Sequence, residues 1–204
     1  IRNFIMSKLE TNTIDTVSGT NTLQVGDSNV ATINLGKSGD TINIPSGATI
    51  TNSGTANNFG GANTPAFMAN LGSSQSISND TGTKVNMNTE IFDTDSKYDT
   101  SNYRFTPTVA GKYHVFVQLM FTAYGADGTQ AGIKLLKNGN EVQECFERSS
   151  YNSNFDFYLK LTSTVVLDDN DYLEVMAVQV SGASKTIYHG SLYTFWGAHK
   201  LIGV

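Results

Sequence analysis

At 204 residues, with a formal charge of -5 and a pI near 5.1, the chain lacks the basic stripe expected of a nucleic-acid binder. Its one cysteine, Cys145, excludes an intrachain disulfide framework and multi-cysteine zinc sites and is expected to be a buried small hydrophobe. No stretch approaches the roughly 20 apolar residues of a helical membrane span, and Ile1 to Ser7 is too short for a secretory leader core.

The chain begins at Ile1 rather than Met, which reads as a fragment whose missing upstream part carries the attachment region. Between Thr11 and Ala66 the only aromatic residue is Phe59 and the only charges are Asp15, Asp27, Lys37 and Asp40. Such a segment cannot build a globular core, yet it lacks the high net charge of many disordered tails. It alternates instead: Leu23 and Val25, Ile33 and Leu35, Ile42 and Ile44, then Ala48 and Ile50. Turn signals at Gly26-Asp27-Ser28, Gly36 to Asp40 and Pro45-Ser46-Gly47 separate these pairs. A flexible Gly/Ser/Thr/Asn linker would show no such order. Strands this short cannot bury a face alone, so three copies wound about one axis are expected to form an extended trimeric β shaft. Thr51 to Pro65 loses the alternation and reads as a neck, giving a shaft and neck over 1–64 and a second domain over 65–204.

From Pro65 the strands lengthen. Ten are predicted, near Ala66–Leu71, Thr83–Ile91, Tyr103–Thr106, Lys112–Thr122, Ala131–Leu136, Glu141–Phe146, Phe155–Leu161, Val165–Leu167, Tyr172–Val180 and Thr186–Ile202. Asn138-Gly139 marks a tight hairpin and Asp168 to Asp171 another turn. The class is all-β, and ten strands in about 140 residues is the size of a jelly-roll knob. In Tyr113 to Phe121 one face carries Tyr113, Val115, Val117, Leu119 and Phe121, while the other still holds Phe116 and Met120. Tyr172 to Val180 and Ile187 to Trp196 are similarly two-sided. An outward face of a sandwich strand is normally polar, so these strands are expected to meet another copy, and with the shaft they predict a homotrimer of cyclic symmetry.

Phe92-Asp93, Tyr98-Asp99 and the run Tyr103-Arg104-Phe105-Thr106-Pro107-Thr108-Val109-Ala110-Gly111-Lys112-Tyr113 with Phe116 resemble the globular heads of the first complement component (C-one-q heads). Leu136-Lys137-Asn138-Gly139, Leu159-Lys160-Leu161, the acidic turn and Gly190-Ser191-Leu192-Tyr193 follow in the same order. The resemblance covers roughly 65–201. It implies a jelly roll that, like tumour necrosis factor, assembles as a trimer around aromatic-rich inner strands. Thr64-Pro65-Ala66-Phe67 and Phe195-Trp196-Gly197-Ala198-His199-Lys200 resemble the version at the tips of marine bacteriophage tail fibres. No Gly-X-Y period precedes the head and the chain holds three prolines, which departs from the collagen-stalked animal proteins.

These features predict a non-catalytic receptor-binding protein of a virion tail fibre. It would bind a bacterial surface glycan or outer-membrane protein and join other tail proteins through the upstream part. Asp93 and Asp95 could be read as a glycosidase pair but are expected in a loop as solvated residues. Asp168, Asp169 and Asp171 could bind calcium, though a charged, solvated hairpin turn is the plainer reading. His114, His189 and His199 lack zinc spacing; His114 and His189 are placed in strands with packing roles. No metal, cofactor or catalytic set is therefore expected, although a polysaccharide-degrading tailspike or a purely structural fibre are the alternatives. Recognition is assigned to three loops, Tyr124–Thr129, Arg148–Asn154 and Ser181–Lys185. The candidate receptor-binding residues are Tyr124, Asp127, Arg148, Tyr151, Asn152, Asn154 and Lys185.

Overall fold

The computed structural model describes residues 25, 32–54, 63–124, 129–150 and 155–202. The chain divides into two compact units, Ile1–Thr55 and Ala56–Val204.

In the first unit two turns share the frame X-Ser-Gly-X. Asp40 N bonds Lys37 O at 3.0 Å and Ala48 N bonds Pro45 O at 3.1 Å. Gly39 and Gly47 take φ of 92° and 86°, which a side chain would resist at the third turn position. The Asp40 carboxylate closes the first turn by accepting from Lys37 N at 3.0 Å. The expected shaft strands do not appear: among the described residues of this unit none is in a strand. The physical reason is that two apolar residues per segment offer no ladder partner within the chain. Ile33, Leu35, Ile42, Ile44 and Ile50 are accordingly all exposed, by 46–66%. Gly26-Asp27-Ser28 lies outside the described residues.

The described residues of the second unit form a jelly-roll sandwich of thirteen strands, where ten were predicted. They are β1 Ala66–Asn70, β2 Gln75–Ile77, β3 Thr83–Lys84, β4 Thr89–Asp93, β5 Tyr98–Asp99, β6 Arg104–Phe105 and β7 Gly111–Tyr124. Then follow β8 Gln130–Lys137, β9 Asn140–Arg148, β10 Phe155–Leu167, β11 Leu173–Val180, β12 Lys185–Ile187 and β13 Phe195–Lys200. The differences are local. The predicted Thr83–Ile91 strand breaks into β3 and β4 just after Val85, where Met87 N turns back to bond Val85 O and Asn86 N bonds the Gln75 side chain. Two predicted strands fuse into β10, because a 12-pair register with β7 carries the chain through Thr162 to Thr164. Thr186–Ile202 is interrupted by a turn in which Tyr193 N and Thr194 N both bond Gly190 O.

One sheet runs β2-β12-β7-β13-β1-β4, with β10 on the other edge of β7; the second runs β5-β6-β11-β8-β9, with β3 also on β11. All pairs are antiparallel. Asn138 and Gly139, at φ of 53° and 78°, form the predicted hairpin between β8 and β9. The core follows the period of two: Tyr113, Val115, Val117, Leu119 and Phe121 point inward from β7 and meet Ile133, Leu135, Val175 and Ala177 of the facing sheet.

Two aromatic clusters cap that core. At the end where the chain enters, Phe67 stacks on Tyr98 (4.6 Å) and Phe105 (4.5 Å) and meets the edge of Trp196 (4.8 Å). The Tyr98 hydroxyl donates to Met87 O at 2.6 Å, so its buried oxygen is satisfied. At the other end Phe121, Tyr124 and Phe157 pack within 5.6 Å of one another. Cys145 is half-buried against the core rather than fully buried.

Candidate functional site

Register brings the three predicted loops to one end of the sandwich. Phe155 pairs Tyr124, Gln130 pairs both Arg148 and Val180, and Thr186 pairs Thr122, so the ends of β7, β9 and β11 lie together. The chain enters at the opposite end, where Lys200 N bonds Pro65 O and Leu201 N bonds Lys112 O. Asn79 joins the loop end: its Oδ1 accepts from Ser181 N and Gly182 N at 2.8 and 2.7 Å.

Individual residues at that end divide. Tyr124 is fully buried, which corrects its placement as a contact residue. Strict alternation would turn it outward, but Ala123 has φ of 56° and the β7–β10 register slips between Phe155 and Phe157. That bulge swings Tyr124 into the core. Its hydroxyl bonds Gln130 O and Gln179 Oε1, and burial pushes its pKa up. Lys185 holds the same bulge, its Nζ donating to Ala123 O, while Asp156 Oδ1 accepts from Ala123 N at 2.9 Å. Lys185 thus has a structural duty. Asp127, Tyr151, Asn152 and Asn154 lie outside the described residues.

Arg148, by contrast, borders an open cleft of about 270 Å³ between the edge strands β9 and β10. Phe155, Phe157 and Leu159 line its apolar side, and Glu147, Arg148, Ser149, Ser150 and Tyr158 its polar side. Sequence reasoning found Arg148 but missed Glu147, Phe157 and Tyr158. The only available signal was the alternation of β10, which exposes Tyr158 by 46% beside the inward Phe157 and Leu159.

A second feature is the outward face of the β7 sheet. Phe92, Met68, Gly197 and Phe116 form one cross-strand row, and Phe195 lies 6.4 Å from Phe116. Tyr188 and Tyr193 meet edge to face at 5.1 Å nearby. The Gly190 turn holds Leu192 out at 76% exposure, with Gln118 Nε2 donating to Leu192 O and Tyr193 O. His114 and His199 pair across β7 and β13 on this face, 5.4 Å apart. His199 is held below the usual imidazole value, by burial first and by His114 second. His189 is not in a strand as expected; its Nδ1 contacts Ser74 Oγ at 2.9 Å.

Acidic groups have structural partners. Asp93 ends β4, accepting from Tyr98 N at 2.7 Å, and Asp95 takes the Thr94 hydroxyl at 2.7 Å. The Asp168 to Asp171 segment is a turn, but Asp171 is buried rather than solvated. Its oxygens accept from Asp168 N (2.7 Å), Asn138 Nδ2 (2.6 Å) and Lys137 Nζ (2.7 Å), bonds that lower its pKa to about 2. Glu141 and Glu144 share Lys134, whose Nζ lies 2.5 and 3.7 Å from their carboxylates. No group of three metal-ligating side chains occurs among the described residues.

No family model matches the chain, and no curated protein does. Solved structures do. The Eiger tumour necrosis factor structure from S. frugiperda is 14% identical, with a TM-score of 0.48, covering 67% of this chain and 91% of that one. The globular domain of the zebrafish complement 1qA protein is also 14% identical, with a TM-score of 0.50, covering 66% of this chain and 94% of that one. At such identity the likeness concerns the fold alone. With the two antiparallel sheets of the described residues, the likeness to the complement 1qA globular domain gives this protein a complement 1q-like jelly-roll sandwich fold.

Proposed function

We propose that the protein is a homotrimeric, non-catalytic attachment fibre of a bacteriophage tail, whose jelly-roll knob binds a glycan or outer-membrane protein on the bacterial surface. The observation that carries this reading is the gathering of the β7–β8, β9–β10 and β11–β12 loops, with the cleft beside Arg148, at the end of the sandwich opposite to the chain's entry. A scaffold that gathers its loops at one end suits capture of a large external target.

The trimer is supported by the apolar face of the β7 sheet, since an exposed aromatic patch with a protruding Leu192 marks an interaction surface. The exposed isoleucines of the first unit have the same need of partners. Three copies would present three clefts together, so weak contacts would combine on a surface of repeated glycans. The phage assignment draws on the resemblance of Thr64 to Phe67 and Phe195 to Lys200 to marine phage fibre tips.

The test is adsorption. Fluorescently labelled protein is added to a panel of marine bacteria, and sedimentation gives its mass. Binding to some strains, competition with phage adsorption on them and a mass three times 22.0 kDa are expected. A monomer, or failure to coat any strain that phage carrying this fibre infect, overturns the reading; steady release of reducing sugar overturns its non-catalytic part.

A further inference from the structure

The β9–β10 cleft has a size, a rigid wall and a charge arrangement that together specify a ligand more narrowly than its location does. About 270 Å³ lies at the small end of ligand sites, which suits one ring rather than an oligomer. Its apolar wall is fixed. Phe157 stacks on Phe121 at 5.6 Å and 15° and meets Tyr124 edge to face at 5.1 Å, and Phe155 lies 5.9 Å from Phe157. A preformed aromatic wall can accept the C–H face of a pyranose without ordering any side chain on binding.

The polar wall carries opposite charges in a fixed order. Successive residues of a strand point to opposite sides, so Glu147 shares the side of Cys145, which packs on the core, while Arg148 stands on the outer side. Five other cations of the second unit have partners within the chain. Lys84 and Arg104 share Glu174, Lys134 lies between Glu141 and Glu144, Lys137 meets Asp171, and Lys185 bonds a carbonyl. The Arg148 side chain makes no ion pair or hydrogen bond with any described residue, so its planar fork of donors is open to a carboxylate. A carboxylate such as Glu147 is the matching acceptor for two adjacent hydroxyls. The net charge of -5 acts against an anion only at long range, screened beyond about 8 Å at physiological ionic strength.

We propose that this cleft binds a single acidic sugar residue, a hexuronic acid or similar carboxylated pyranose. Arg148 holds its carboxylate, Glu147 accepts from hydroxyls at the far end of the ring, and Phe155 and Phe157 lie against its C–H face. The proposal rests on the attachment reading and narrows its ligand from surface glycans in general to those rich in uronic acids.

Ligand-observed NMR titrations of the full 204-residue chain with glucuronic acid, glucose and glucosamine test it. Glucuronic acid should bind about tenfold more tightly than glucose, the effect of one charge-assisted bidentate pair. Arg148→Gln should erase that preference, and Glu147→Gln should weaken both sugars while keeping it. Both side chains are exposed, and circular dichroism checks that the variants fold. Equal binding of glucose and glucuronic acid, glucosamine as the tightest ligand, or a preference that survives Arg148→Gln overturns the proposal. Protein that coats bacteria yet ignores glucuronic acid removes this ligand and leaves attachment standing. Protein that binds glucuronic acid through Arg148 yet coats no bacteria keeps the site and removes the attachment reading.

Discussion

The two outward faces of the sandwich share a backbone pattern and differ in chemistry. On the β11 sheet, outward positions carry Lys84, Arg104 and Glu174 in one ion-paired set and Lys134, Glu141 and Glu144 in another, and Arg104 lies 4.2 Å above the Tyr172 ring. On the β7 sheet, the equivalent positions carry Phe92, Met68, Phe116, Phe195 and Met120. Charges satisfied within one chain make a face that can rest in water, whereas apolar rings left half-exposed make one that gains by being covered. The contrast teaches which side of a sandwich is finished and which awaits a partner.

Each face has a glycine beneath a ring, and these two residues should give the largest split. A Cβ on Gly197 would sit 2.5 Å from both the Phe116 ring and the backbone oxygen of Phe67, which cannot move without breaking the β1–β13 ladder. The nearest atoms to a Cβ on Gly132 would be those of the Phe146 ring, which is exposed and can swing away. Gly197→Ala should cost about 3 kcal/mol or more and Gly132→Ala about 1 kcal/mol, measured by urea unfolding. Equal costs would break the comparison.

Next in size is assembly. Leu192→Asp should cost about 2 kcal/mol per interface and shift sedimentation from trimer toward monomer. Val142→Asp, exposed on the edge strand β9 of the ion-paired sheet, should leave the mass unchanged.

The ion-paired face is sharpened by Glu174. Burial pushes its carboxyl up, and the bonds from Lys84 and Arg104 outweigh that and hold it below the usual value of 4.5. A depressed carboxyl stabilises the fold above 4.5 and loses that contribution as pH falls through its folded value. Glu174→Gln should therefore cost about 1 kcal/mol at pH 7 and flatten the loss of melting temperature below pH 4.5.

The smallest effect concerns His199 on the apolar face. His114 and Thr164 share its row, Lys112 and Lys200 flank it, and no carboxylate occupies that row. Because its folded value lies below 6.5, the state in which it is exposed takes up the proton first, and stability declines as pH falls below 6.5. Covering the face would deepen the effect, so trimer content should fall by a few fold between pH 7.5 and 5.5 in the native chain and by less in His199→Asn, as read by sedimentation. An identical fall in both would assign the titration elsewhere.

Tyr124 and Arg148 show how far the sequence could be read. Both stand at strand ends beside turn-rich segments, and both looked like loop anchors. Alternation correctly assigned the core of β7 from Tyr113 to Phe121, because a period of two needs only local geometry. It failed at Tyr124, because the Ala123 bulge is set by bonds from Asp156 and Lys185, residues 33 and 62 positions away. Asp171 was misread for the same reason: its charge suggested solvent, while Asn138 and Lys137 draw it inward from 33 and 34 positions away.

What the sequence by itself determined is the all-β class, the contrast between an aromatic-poor first segment and an aromatic-rich second, the Asn138-Gly139 hairpin and the inward faces of the long strands. These follow from composition, period and turn chemistry, which act over a few residues. Only the tertiary structure decided that β10 is one strand, that three loops converge at the end away from Pro65, and that Arg148 borders a cleft with Phe157 while Tyr124 lies in the core. Those outcomes depend on register between strands distant in the chain, where a slip of one residue exchanges the two faces, and no local pattern encodes where such a slip occurs.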